Sequence, residues 1–87
     1  MVYKSKISIS VRKNILDPQG KAVEHSLKSM GFEKILDTRI GKYIELVIDA
    51  SSEKEAFDLS EEACKKLLAN PVMEDYTIAV QKEGEQN

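Results

Sequence analysis

The chain has 87 residues, with 13 Lys+Arg against 15 Asp+Glu, a formal net charge of -2 and one cysteine. A chain of this size buries only about 60% of the surface its unfolded form exposes, so it supports one domain with one thin core, and a cleft that encloses a substrate needs more walls or a second chain. The near-balanced charge argues against a nucleic-acid binder, and the lone Cys64 excludes an intrachain disulfide or a multi-cysteine metal site. Residues 1–9 alternate polar and apolar, unlike a signal peptide. No run approaches membrane-spanning length, so the chain reads as cytoplasmic and in contact with no membrane.

In residues 6–12, Ile7, Ile9 and Val11 alternate with Ser8, Ser10 and Arg12. That period of two predicts a strand buried on one face, with Lys4 and Lys6 ahead of it. Asp17-Pro18-Gln19-Gly20 follows: Asp17 is the expected N-cap and Pro18 the first helical residue. The helix runs to about Met30, with Val23, Leu27 and Met30 as its inward stripe beside Ala22 and Ser26. Lys21, Glu24 and Lys28 point outward, and Gly31 stands at the C′ position. Two strands are predicted at 33–40 and 42–49, joined by a tight turn at Gly41-Lys42. Ser52 and Glu55 match a capping box for a second helix that reaches Ala69. Its stripe is Ala56, Leu59, Ala63 and Leu67, widened by Phe57, Cys64 and Leu68. Asn70 caps it and Pro71 stops it. A last strand at 75–81 puts Tyr76, Ile78 and Val80 on one face, and residues 83–87 form a polar, frayed tail behind a single domain spanning 1–82.

The order β-α-β-β-α-β predicts an α+β, ferredoxin-like domain: a four-stranded antiparallel sheet with both helices on one face. The other face would carry Ser8, Ser10, Arg12, Asp37, Arg39, Tyr43, Glu45, Val47, Thr77, Ala79 and Gln81. It reads either as a solvated sheet face or as a partly wet interface with a second chain, and 33–40 would be an edge strand open to pairing.

Few constellations carry chemistry. Ser8 and Ser10 stand where an RNA-recognition motif places base-stacking aromatics. The first loop lacks both the Cys-x-x-C of a metal chaperone and the arginine of an acylphosphatase-like site. His25 has no nucleophile or carboxylate spaced to work with it, and reads as a helix-surface or interface residue. Cys64 reads as a packed core thiol, and Met30 and Met73 as core or interface fillers. The acidic start of the second helix (Glu53, Glu55, Asp58, Glu61, Glu62), closed by Lys65 and Lys66, complements the helix dipole. It offers Glu61–Lys65 and Glu62–Lys66 pairs, an explanation that needs no metal. The Asp17-to-Lys21 junction could hold an anion on its free N–H groups, but Asp17 competes for them as a cap.

Three stretches carry a family resemblance: Leu16-Asp17-Pro18-Gln19-Gly20-Lys21-Ala22, Gly41-Lys42-Tyr43-Ile44-Glu45-Leu46, and Lys66-Leu67-Leu68-Ala69-Asn70-Pro71-Val72-Met73-Glu74-Asp75-Tyr76. In order and spacing the chain resembles the PurS-type small subunit of phosphoribosylformylglycinamidine synthase. Met73 replaces an expected isoleucine, a volume-conserving change. The resemblance implies a non-catalytic assembly subunit of a glutamine-dependent, ATP-consuming ligase in de novo purine biosynthesis. It implies a homo-oligomer, dimer or tetramer, that bridges a PurL-type synthetase and a PurQ-type glutaminase. ATP and magnesium would belong to the synthetase, with no cofactor or metal held here. The expected partner-contact residues are Asp17, Gln19, Gly20, Lys21, Arg39, Gly41, Lys42, Asn70, Pro71 and Glu74, against the alternative that they are caps and turns. Rival readings are an ACT-like small-molecule sensor, for which no glycine-rich ligand loop is present, and a free-standing hydrolase, for which no nucleophile–base pair is.

Overall fold

The computed structural model describes residues 1–83, so all but the first residue of the expected polar tail lies outside the described residues. The elements are β1 (Val2–Val11), α1 (Pro18–Ser29), β2 (Gly41–Asp49), α2 (Glu53–Ala63) and β3 (Glu74–Lys82). A π-helical turn, Cys64–Leu68, continues α2 and closes with the Ala69 N–H on the Cys64 carbonyl at 3.0 Å.

β1 lies at the centre of an antiparallel sheet of order β2-β1-β3. Its register puts Ile7 opposite Ile44 on one side and Ile78 on the other. Alternation then sends Tyr3, Ser5, Ile7 and Ile9 to one face, where all four are buried. Lys4 and Lys6 belong to β1 itself and lie on the opposite face, not ahead of the strand.

α2 and the turn that continues it cover the inner face with Ala56, Ser60 and Cys64, each fully buried. These sit four residues apart, one above the other on a helix, and their small side chains let the helix approach the sheet closely. This replaces the predicted stripe, since Leu59 and Leu67 remain exposed. Ser60 and Ser5 share a buried hydroxyl–hydroxyl hydrogen bond of 2.7 Å between helix and central strand. Cys64 joins Ile7, Ile9 and Ala69 in the core, as a packed thiol should.

The expected four-stranded sheet is not formed. Residues 33–40 make no strand, and Gly41 is the first residue of β2, paired with Ser10, rather than part of a hairpin turn. The reason lies in where this segment's backbone donors go. Thr38 N–H donates to Glu24 Oε1 (3.2 Å) and Asp37 Oδ1 (3.0 Å), and Ile40 N–H to Asp17 Oδ2 (2.9 Å). Carboxylates of the α1 region thus take donors that a sheet ladder would have used. Asp37 and Arg39 are accordingly absent from the outer sheet face.

The second departure is α1, which makes no extensive packing contact with the strands or with α2. Its predicted inward stripe is largely uncovered: Val23 and Met30 are exposed and only Leu27 is half-buried. Glu24, predicted to face outward, is instead buried against the returning 35–40 segment. α1 and that segment form an arm that leaves the sheet after β1 and returns at β2. The radius of gyration is accordingly 16.4 Å, against about 12 Å for a compact domain of this length.

Local signals held better. Asp17 caps α1 and Gly31 takes a φ of 101° just past its end. Ser52 caps α2 through the Glu55 N–H, but the Glu55 carboxylate reaches back to Ser51 N and Oγ rather than to Ser52, so the capping box is shifted by one residue. Ala69, not Asn70, is the terminal cap. The Glu62–Lys66 pair forms at 2.9 Å, while the expected Glu61–Lys65 pair gives way to Lys54–Asp58. Removing the Ser60 hydroxyl strands the buried Ser5 hydroxyl, whereas the Ser60 hydroxyl also donates to the Ala56 carbonyl at 2.8 Å. Ser60→Ala is therefore expected to lower unfolding free energy by about 1–3 kcal/mol, read from the urea midpoint. Ser5→Ala/Ser60→Ala together should cost less than the sum of the single changes.

Candidate functional site

The three matched stretches meet at one end of the sheet. Asp17 stands between them. Its Oδ1 accepts from Gly20 N at 3.0 Å and its Oδ2 from Ile40 N at 2.9 Å, so one carboxylate caps α1 and ties down the end of the returning segment. The Gly20 N–H, then the Ile40 N–H, hold its carboxyl below the usual range against the opposing effect of burial, and the Arg39 charge adds to them. Gly20 is required by closeness: a Cβ there would lie 2.5 Å from both Asp17 Oδ2 and the Thr38 carbonyl. At Gly41 a Cβ would collide with the Ile9 carbonyl oxygen across the β1–β2 pair.

Two arginines clamp the end of β1. Arg39 Nη2 donates to the carbonyls of Val11 (2.7 Å) and Arg12 (2.8 Å), fixing the foot of the arm to the strand it left. Arg12 turns the other way. Its Nε donates to Asp75 Oδ1 at 3.1 Å and its Nη2 to the Pro71 carbonyl at 2.7 Å, while its backbone N–H donates to Met73. Arg12 was not among the site residues expected from the sequence, where it appeared as one more polar residue of the outer face. Its position immediately after an alternating strand was the available signal for a side chain that anchors a neighbouring turn.

The turn after α2 is organised by Asn70 and Glu74. Asn70 Oδ1 accepts from Val72 N (2.9 Å), and Glu74 Oε1 accepts from Asn70 N (2.8 Å). Lys42 closes the arrangement: its Nζ donates to the Leu68 carbonyl at 3.1 Å and lies 3.9 Å from Glu74 Oε1. Val11, Asp17, Gln19, Gly41, Lys42 and Glu74 line a shallow cavity of about 280 Å³ here, with Ile40. Of the ten expected contact residues, Asp17, Gly20, Arg39, Gly41, Asn70 and Glu74 are engaged in holding the junction. Gln19, Lys21, Lys42 and Pro71 keep exposed surface. Lys21 lies 3.8 Å from Glu24, whose carboxyl is held low chiefly by Lys28 at 3.2 Å.

This arrangement binds backbone to backbone. His25 is exposed on α1, away from the junction, and Cys64 is buried with its thiol pushed up by burial. Among the described residues no group of His, Cys, Asp and Glu is placed to hold a metal ion, and no helix is long and apolar enough to cross a membrane.

A three-stranded antiparallel sheet under one helix, with a carboxylate-stapled arm, defines a small α+β domain. Residues 4–82 match the family model described as PurS: Phosphoribosylformylglycinamidine (FGAM) synthase, and the chain belongs to that family. It is 47% identical over 81 residues to the phosphoribosylformylglycinamidine synthase subunit PurS of Bacillus subtilis, covering 93% of this chain and 95% of the relative. The crystal structure of Bacillus subtilis PurS superposes with a TM-score of 0.83 at 48% identity, over 92% of this chain and 99% of that one. A chain of the PurLQS structure from Thermotoga maritima gives a TM-score of 0.86 at 31% identity, over 93% and 99%.

Asp17 and Glu24 both have folded-state pKa values below their ordinary values of 3.8 and 4.5. Their contribution to stability is therefore complete above those values and is lost as pH falls through the lower folded ones. The urea midpoint should drop on acidification below about pH 4.5. Asp17→Asn should lower the midpoint at pH 7 and flatten the acid-side slope; an unchanged slope would show that Asp17 does not hold the junction.

Proposed function

We propose that this chain is a non-catalytic assembly subunit of a glutamine-dependent FGAM synthase. In this reading it bridges a PurL-type synthetase and a PurQ-type glutaminase in purine biosynthesis. The observation that carries it is the likeness, over nearly all of both chains, to a chain of the PurLQS structure. The synthetase would bind ATP, magnesium and formylglycinamide ribonucleotide, and the glutaminase would release ammonia from glutamine. Ammonia that escaped to water would be lost to the amidine-forming step, so a subunit that fixes the docking of the two enzymes has a chemical purpose. The chain would act in the cytoplasm and as a homo-oligomer.

The junction suits this role. Its backbone is fixed by Asp17, Arg12 and Arg39, and it presents Gln19, Lys21 and Lys42 at the surface. We assign partner contact to these three side chains and a supporting role to the residues beneath them. Family membership leaves the ACT-like and hydrolase readings without support.

Mixing the purified chain with PurL-type and PurQ-type subunits should give glutamine-dependent amidine formation only when all three are present. Full activity without this chain would refute the proposal. Lys21→Ala and Lys42→Ala, confirmed folded by circular dichroism, should each retain several-fold less synthetase in a pull-down. Undiminished binding by both would remove those lysines from the interface.

A further inference from the structure

β3 is an edge strand, and its free side is unguarded. Its register with β1 runs without a break from Tyr3–Lys82 to Val11–Glu74, so no bulge bends the strand away. The Glu83 N–H donates to the Val2 carbonyl, and the Met73 carbonyl accepts from the Arg12 N–H. An antiparallel ladder alternates, so the odd-numbered residues between these two turn their backbone groups to β1. Tyr76, Ile78 and Val80 therefore aim N–H and C=O outward, and among the described residues nothing pairs with them there. β2, the other edge, spaces Lys42, Glu45 and Asp49 along its length, whereas residues 76–80 carry no charge to keep another strand off.

The side chains of the same three residues point to the inner face, because they stand opposite Ile9, Ile7 and Ser5. There they line two cavities beside the open edge. Ile78 and Val80 share one of about 560 Å³ with Phe57, Glu53, Lys54 and Asp58 of α2. Tyr76 shares one of about 400 Å³ with Arg12, Lys65, Pro71, Glu74 and Asp75, among others. Most of the charges around them are already spent. Lys54 lies on Asp58 at 2.9 Å, Arg12 on Asp75 at 3.1 Å, and the Glu74 carboxylate accepts from the Asn70 N–H. The Glu53 carboxylate and the Lys65 ammonium have no partner among the described residues. One cavity thus holds an unpaired anion and the other an unpaired cation, and Tyr76 to Val80, about 14 Å of strand, runs between them.

We propose that β3 accepts an added antiparallel strand from a partner protein, an extended segment that reads basic–x–aliphatic–x–acidic. Residues directly opposite in such a ladder turn their side chains to the same face. The basic side chain stands opposite Val80 beside Glu53, the aliphatic one opposite Ile78 against Phe57, and the acidic one opposite Tyr76 beside Lys65. The new backbone bonds supply affinity, and the two cavities select the alternate side chains. A second β3 centred on Ile78 sets Tyr76 against Val80 and answers neither charge. The edge selects a segment by its chemistry, whichever protein carries it, so this binding site stands apart from the functional reading.

The test uses the full-length chain, isotope-labelled for amide exchange by magnetic resonance. The probe is the end-capped peptide Thr-Lys-Thr-Ile-Thr-Glu-Thr, titrated to millimolar concentration. Exchange should slow at Tyr76, Ile78 and Val80 and stay unchanged at Thr77 and Ala79, whose amides already bond to β1. The same peptide with its Lys and Glu exchanged should bind several-fold more weakly. In Lys65→Glu/Glu53→Lys, both at exposed positions, that preference should reverse. Val80→Pro removes one outward N–H and spares the ladder to β1, so it should weaken binding of the first peptide several-fold with unchanged circular dichroism. Protection spread evenly over odd and even positions would overturn the proposal. So would binding of neither peptide, or a preference that the double variant fails to reverse. Protection of the three amides without peptide, rising with chain concentration, would overturn it too, since a second copy would then hold the edge.

Discussion

The structure depends on one carboxylate. Asp17 has two oxygens and uses each on a different segment, Oδ1 on the first turn of α1 and Oδ2 on the last residue before β2. Chain positions 23 residues apart are thereby brought to one point, and the intervening arm becomes a closed excursion. Gly20 follows from this, because the two segments pass too closely for any side chain there. The absence of a fourth strand follows as well. With the Ile40 N–H on Asp17 and the Thr38 N–H on Glu24, the segment is committed to α1 instead of the sheet edge.

A sheet of three strands under a single helix leaves a small domain short of buried surface. Its core consists of few large side chains, Ile7 and Ile9 above all, and relies on Ala56, Ser60 and Cys64 for close approach. Large apolar residues at Leu16, Met30, Leu36 and Leu67 remain in water. Single exposed apolar residues are ordinary on a folded surface, and these four lie on different segments of the chain. Chemistry and exposure agree here. The groups that carry polar chemistry at the junction are spent on backbone, and the surface left over is suited to other chains.

Much of this was legible in the sequence where the cause is local. The alternation of Ile7 and Ile9, the Asp17-Pro18 start, the Gly31 stop and the Tyr76-Ile78-Val80 face each follow from neighbours a few residues away. So did the place of Cys64. Some local details also differ, such as the Glu55 carboxylate reaching Ser51 and Ala69 capping the second helix, but the failures that change the fold are of long range. Residues 33–40 have a strand-like pattern, and only two carboxylates, Glu24 and Asp17, lying 14 and 23 residues before the groups they bind, decide otherwise. The stripe on α1 is real, but periodicity says that a face is apolar, not that the chain covers it. Of the site, the loops were found from the family pattern, whereas Arg12, which anchors the turn after α2, was lost among polar residues of a sheet face. Six of the expected contact residues, Asp17, Gly20, Arg39, Gly41, Asn70 and Glu74, make hydrogen bonds or close approaches within the junction itself.

The functional account joins these points. The chain belongs to the PurS family, and the junction residues hold a rigid end on which Gln19, Lys21 and Lys42 are exposed. An assembly role needs rigidity of this kind more than it needs reactive groups. The most direct test is sedimentation velocity of a PurL-type synthetase and a PurQ-type glutaminase, run with and without this chain under turnover conditions. The account predicts one fast ternary boundary that appears only when the chain is added. The same synthetase–glutaminase boundary in its absence would contradict it.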